Sequence, residues 1–165
     1  LTTRISKPSS TFKKSLTEMK IGDRITASGP DGDFTAEDPN KNYIFIAGGI
    51  GITPFRSILL YLNHKRLPVN VQLLYANRDE DTVFEEQLNS LVEKNENFKI
   101  NYFISPHRID ENVLNGQLSM VNNPMMYVSG PEPFVETYSQ ILKSIGIKKE
   151  NIKEDFFPGY TSLSN

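Results

Sequence analysis

Alternating strands and helices over residues 43–157 predict an α/β fold, a doubly wound five-stranded parallel sheet. Three observations carry it. Short apolar runs recur along the chain, each bounded by polar or glycine-rich segments, as suits strands buried on both faces. Segments with apolar residues at helical spacing separate them. Glycine-rich loops fall where strands hand over to helices.

The first strand is YIFIA (43–47). The loop AGGIGITPF (47–55) follows, and FRSILLYLNHK (55–65) reads as a helix with Phe55, Ile58, Leu59 and Leu62 on one face. Thr53 is expected at its N-cap and Pro54 at its first position, where a missing N–H costs nothing. VNVQLLYA (69–76) is the second strand. A helix is expected from Thr82 to Lys94, with Thr82 and Glu85 as a capping box. KINYFIS (99–105) is the third strand, followed by a short helical turn near Asp110–Leu114. MMYVS (125–129) is the fourth. PFVETYSQILKSIG (133–146) is a helix stopped by Gly146, and NIKEDFF (151–157) is the fifth strand.

Residues 1–38 differ. Strand-like runs at 1–5 and 24–28 flank a helical stretch around Phe12–Met19, and AEDPNKN (36–42) reads as a linker. The expected domains are 1–38 and 39–165. The chain starts inside a patterned segment, so it is expected to be a piece of a longer protein.

Composition narrows the function. The 165 residues carry a net charge of -2, which argues against nucleic acid as main partner. No apolar run approaches the roughly 20 residues of a membrane span, and no signal peptide is visible; a cytoplasmic location is the expectation. There is no cysteine, hence no disulfide, thiolate-held iron–sulfur cluster or cysteine nucleophile. Two histidines, His64 and His107, form no metal motif.

The glycine loop sits after a parallel strand, where doubly wound sheets bind ligands. Its glycines let a pyrophosphate approach the backbone, and the helix start adds positive character. It is not the G-x-G-x-x-G pattern, because Pro54 stands where the third glycine would be. A second glycine element, SGPEPF (129–134), follows the fourth strand at the same end of the sheet. Two such loops facing one crevice suit a long ligand, a dinucleotide.

Taken in order, AGGIGITPF, YANR (75–78), SGPEPF and EDFFPGY (154–160) resemble the ferredoxin–NADP⁺ reductase-like flavoenzymes. GDRITASGPDGDF (22–34) resembles the end of that family's FAD-binding barrel, which makes residues 1–38 a partial antiparallel barrel segment. The resemblance implies that Gly48, Gly49, Gly51, Thr53 and Pro54 cradle the pyrophosphate and approach the nicotinamide. Gly130, Pro131, Glu132 and Phe134 would line the nicotinamide-ribose side. Asn77 and Arg78 would face the adenosine ribose, Arg78 leaning toward NADPH over NADH by its fit to a 2′-phosphate, against the acidic run Asp79–Asp81. Glu154 and Phe156 match the segment that lies near the flavin in relatives, and Ser129 stands where the family has a cysteine beside the nicotinamide. Ser9, Ser10 and Thr11 match loosely a helix start that binds FAD pyrophosphate.

The family's Arg-x-Tyr-Ser flavin motif is missing from the chain, so FAD is expected to be held by the full-length protein. The resemblance implies NAD(P)H-dependent hydride transfer from nicotinamide C4 to flavin N5. Electrons would pass on to a redox partner such as a ferredoxin, a haem or an iron–sulfur protein or domain. A non-catalytic nucleotide-binding component of a larger complex, serving electron transfer or regulation, is the alternative.

Overall fold

The computed structural model describes residues 2–3, 5, 8–29, 32–36 and 38–157. The chain divides into two compact units, Leu1–Asp33 and Phe34–Asn165. The sequence-based boundary after residue 38 falls slightly later. Residues 34–36 belong with the second unit: Ala36 is buried, Phe34 packs on the core, and the Tyr127 hydroxyl donates to the Thr35 carbonyl at 2.6 Å.

In the first unit, α1 (Thr11–Glu18) is capped by Ser10, whose hydroxyl accepts from the Lys13 N–H at 3.3 Å. The expected strands do not form among the described residues of 1–5 and 24–28. A strand is stabilised by its cross-strand neighbours, and residues 21–28 are all exposed. A groove of about 450 Å³ is lined by Phe12, Leu16, Met19, Arg24 and Ile25 among others and contains none of the glycine-loop residues.

The second unit carries β1 (Tyr43–Gly48), α2 (Ile52–His64), β2 (Val71–Asn77), α3 (Glu85–Lys94), β3 (Phe98–Ile104), α4 (Glu111–Met120), β4 (Met125–Pro131), α5 (Glu132–Ser144) and β5 (Ile152–Phe157). The strands pair in parallel in the order β3-β2-β1-β4-β5. All six residues of β1 are buried, as its continuous apolar run requires at the centre of a covered sheet.

Side chains alternate between two cores. Tyr43, Phe45, Ala47, Leu73 and Tyr75 face α2 and α3, meeting Phe55, Leu59, Leu62 and Leu88. Phe45 and Phe55 stack at 4.5 Å. Ile44, Ile46, Leu74, Met126 and Val128 face α4 and α5, meeting Leu114, Val135 and Leu142. Each such fully buried side chain stabilises the fold by about 1.5–3 kcal/mol. Gly146, at φ +92, lets the chain leave α5, as the sequence predicts.

Three local expectations are corrected. The Asp110–Leu114 turn is the start of a ten-residue helix, α4, capped by the Asp110 carboxylate, which accepts from the Val113 N–H at 2.9 Å. The Thr82–Glu85 capping box is not built: α3 begins at Glu85, and the Thr82 hydroxyl meets the Glu85 carboxylate rather than its N–H. Phe84 turns the chain there at φ +66, its ring held 4.4 Å beneath the Arg56 guanidinium. Thr53 is not an N-cap. A 3₁₀ turn over Gly49–Gly51 starts the helix early, and the Thr53 hydroxyl donates back to the Ile50 carbonyl at 2.8 Å. Pro54 becomes the third helical residue, still within the turn that lacks intrahelical acceptors.

Candidate nucleotide-binding site

Strand order reverses between β1 and β4. The chain leaves β1 for α2 on one face and leaves β4 for α5 on the other, so the two carboxyl ends open a crevice between their loops. The residues 47–55 and 129–134 meet there, as the two-loop expectation requires.

Most of the glycines serve that meeting. A Cβ on Gly51 would lie 2.2 Å from the Ser129 carbonyl oxygen and 2.7 Å from Gly130 Cα. A Cβ on Gly48 or on Gly130 would lie 2.9 Å from the Phe134 ring. Gly48, Gly51 and Gly130 thus let β1, the 3₁₀ turn and β4 pack backbone to backbone. Phe134 is half-buried beneath them and also meets Tyr138 at 4.5 Å. Its role in the structure is to wedge the two loops from the α5 side. Pro131 and Glu132 are exposed at the loop's mouth.

Gly49 is different. It adopts φ +54, and its missing side chain leaves open space whose nearest neighbour is Asn77 Oδ1 at 3.9 Å. The Asn77 Nδ2 beside it is buried without a hydrogen-bond partner. So is the Tyr75 hydroxyl, which approaches the Asn77 side chain and the Val83 backbone without forming a bond of good geometry. Burial raises the Tyr75 pKa; those two neighbours lower it in part, and the Asp81 charge raises it further. A buried amide without a partner costs roughly 1–3 kcal/mol, so a glycine cradle next to such a donor suits a polar ligand. Arg78 is exposed just beyond, and among the described residues no carboxylate pairs with it.

The carboxyl-terminal candidates separate. Glu154 lies on the α5 face, where the Ser139 hydroxyl donates to it and Lys143 stands 3.8 Å away. Ser129 is fully buried on the other face, and its hydroxyl donates to Asp155 Oδ2 at 3.2 Å. The resemblance points to Glu154 and not Asp155; the two-residue period of a strand decides which carboxylate joins Ser129. Phe156 and Phe157 are 47% and 42% exposed at the end of the edge strand, so neither is sheet core. Residues 158–160 of the EDFFPGY match lie outside the described residues. In the first unit, Ser10 caps α1 beside Thr11, and the Ser9 hydroxyl is buried without a partner.

No group of three or more metal-ligating side chains occurs among the described residues, and no described helix is long and apolar enough to cross a membrane.

Residues 45–140 match the family described as oxidoreductase NAD-binding domain. One component of the Na⁺-translocating NADH-quinone reductase from Serratia proteamaculans is 31% identical over 158 residues, covering 86% of this chain and 39% of that protein. Its counterpart from Idiomarina loihiensis is 28% identical, covering 94% and 42%. The chain spans less than half the length of these relatives. Among solved structures, the CS-b5R domains of human Ncb5or superpose with a TM-score of 0.76 at 24% identity, covering 92% of this chain and 47% of that one. Ferredoxin-NADP⁺ reductase from Plasmodium falciparum does so at 0.75 and 19%, covering 92% and 69%. The chain belongs to the oxidoreductase NAD-binding domain family, and its fold is that of the ferredoxin–NADP⁺ reductase-like enzymes.

Proposed function

We propose that this oxidoreductase NAD-binding domain seats a nicotinamide dinucleotide across the β1–β4 switch point, as one module of an NAD(P)H-dependent flavin oxidoreductase. The observation that carries the reading is the open, left-handed Gly49 beside the unpartnered Asn77 amide, at the carboxyl end of the sheet. When bound, the dinucleotide would supply a hydride for FAD, and the electrons would go on to a redox partner such as a ferredoxin, a haem or an iron–sulfur protein.

The chain's own residues bind and orient. Gly49 and the first turn of α2 present backbone to the pyrophosphate. Asn77 borders the adenosine ribose, with an amide that the protein leaves unpaired. Pro131 and Glu132 border the other half of the crevice. Ser9 fits a phosphate contact, since its buried hydroxyl lacks a partner, with Ser10 and Thr11 at the same helix start.

Between the two nucleotides, the surroundings of Asn77 favour NADH. Arg78 could meet a 2′-phosphate, but Asp79 and Glu80 are exposed beside it and the Asp81 charge reaches the Tyr75 hydroxyl. The relatives named as NADH-quinone reductases lean the same way. Titration of the chain with NADH, NADPH and their oxidised forms tests both levels. Arg78→Ala should leave NADH affinity within about twofold. A loss of roughly 1.5–3 kcal/mol for NADPH alone, the scale of a charge-assisted bond, would reverse the preference assigned here. Absence of binding by any of the four would overturn the nucleotide reading.

A further inference from the structure

We infer that Tyr75 fixes the orientation of the Asn77 amide, so that the crevice presents a carbonyl oxygen to the adenosine ribose and takes a free ribose hydroxyl over a 2′-phosphate. The inference deepens the nucleotide-binding reading above and rests on it.

Tyr75 and Asn77 lie two residues apart on β2, so their side chains leave the same face of the sheet. Both backbones are held by neighbouring strands. Tyr75 pairs with Ala47 on one side and Tyr102 on the other, and Asn77 pairs with Ile104. The Asn77 carbonyl also accepts from the Ser105 N–H at 3.1 Å. The Tyr75 ring is fully buried, its centroid 6.0 Å from that of Tyr102. Its hydroxyl therefore has a fixed place in the fold.

The two ends of the Asn77 amide have different surroundings. Nδ2 is buried, and it faces the Tyr75 hydroxyl. Burial raises the tyrosine pKa, while the Asn77 side chain and the Val83 backbone lower it in part, as groups donating toward the phenolic oxygen do. Neither contact has the geometry of a full hydrogen bond. The Asp81 charge reaches the same hydroxyl. A negative charge there holds the positive NH2 end of the amide on the Tyr75 side and leaves the oxygen for the crevice. Oδ1 faces the open space that Gly49 leaves, 3.9 Å from where a Cβ would stand. Gly48 pairs with Ala76, so Gly49 and Asn77 are the next residues along their strands. A ribose hydroxyl donates to that oxygen. A 2′-phosphate brings acceptors and negative charge, and leaves the oxygen unpaired. Tyr75 itself, fully buried, touches no ligand; it is a positioning residue.

The test is a ratio measured in two backgrounds. Calorimetry gives the affinities of the chain for ADP-ribose and 2′-phospho-ADP-ribose in the wild type, Tyr75→Phe, Asn77→Ala and the double variant. Phenylalanine keeps the ring in the core and removes the oxygen that holds the amide. The preference for ADP-ribose over its 2′-phosphate should fall about fivefold in Tyr75→Phe, the margin of a charge-assisted bond over a neutral one. In the Asn77→Ala background the same change should move the ratio by less than about twofold, as a residue acting only through Asn77 requires. Asn77→Asp presents an oxygen whichever way it turns; it should keep or widen the preference, and it decides the matter if Tyr75→Phe does not fold. An unchanged ratio in a folded Tyr75→Phe, an equal fall with Asn77 already removed, or loss of the preference in Asn77→Asp overturns the role of Tyr75 and leaves the nucleotide site standing. A wild-type chain that binds neither of these ligands nor NADH overturns both.

Discussion

Gly51→Ala is the most incisive test of how the crevice is built. Gly51 has φ -60 and ψ -7, a helical conformation that alanine adopts freely, so backbone preference is not at issue. What forbids a side chain is space. The new Cβ would stand 2.2 Å from the Ser129 carbonyl oxygen and 2.5 Å from its carbon, and all the near atoms are backbone. Ordinary contact needs about 3.5 Å, so the 3₁₀ turn must retreat from β4 by roughly 1 Å. Overpacking of this kind costs about 1–3 kcal/mol, and rigid backbone on both sides places the cost at about 3 kcal/mol. Urea denaturation followed by circular dichroism measures it. The same retreat parts the two loops, so NADH affinity should fall about tenfold or more, since misplacement by 1 Å is costly at a preorganised site. Gly116→Ala is the control: nothing lies within 4 Å of its Cβ, and it sits within α4, so it should gain about 0.5–1 kcal/mol. A Gly51→Ala protein within about 0.5 kcal/mol of wild type, the range of neutral surface changes, would refute the close packing of β1 on β4.

Other outcomes follow from the same structure. Phe134→Ala removes the ring that touches both Gly48 and Gly130, and should cost about 2–4 kcal/mol in denaturant unfolding, with a loss of NADH affinity that ADP-ribose shares. Asp110→Ala should cost about 1 kcal/mol by removing the side-chain acceptor for the Val113 N–H, with nucleotide binding unaffected. Tyr102 is raised from 10.0 to about 12, first by burial and then by the charges of Glu85 and Tyr75. Above pH 10 the unfolded chain therefore loses this proton before the folded one, so stability present below pH 10 is lost as pH rises toward 12. A melting temperature that falls over this window, and falls less in Tyr102→Phe, is the expected result; identical slopes would show that Tyr102 has no part in it.

The sheet was legible in the residue pattern alone. Continuous apolar runs such as YIFIA could be satisfied only at the centre of a covered parallel sheet, and the helical stripes between them fixed the alternation. The same pattern also placed the two glycine loops at one end of that sheet, because both follow parallel strands. Local competition hid the rest. The full length of α4 was not read, although Asp110 at its N-cap and Leu114 and Leu118 on one stripe were legible signals. Thr53 looked like a cap, because no local pattern shows that Gly49–Gly51 already coils into a 3₁₀ turn. Only the tertiary structure separated the roles of the glycines. Gly48, Gly51 and Gly130 are glycine because another strand's backbone or Phe134 occupies the space a side chain would need, whereas Gly49 is open toward Asn77. Only strand register showed that Asp155, rather than Glu154, meets Ser129. Both distinctions depend on atoms far apart in the chain, and a sequence motif carries no record of which neighbour the fold brings to each residue.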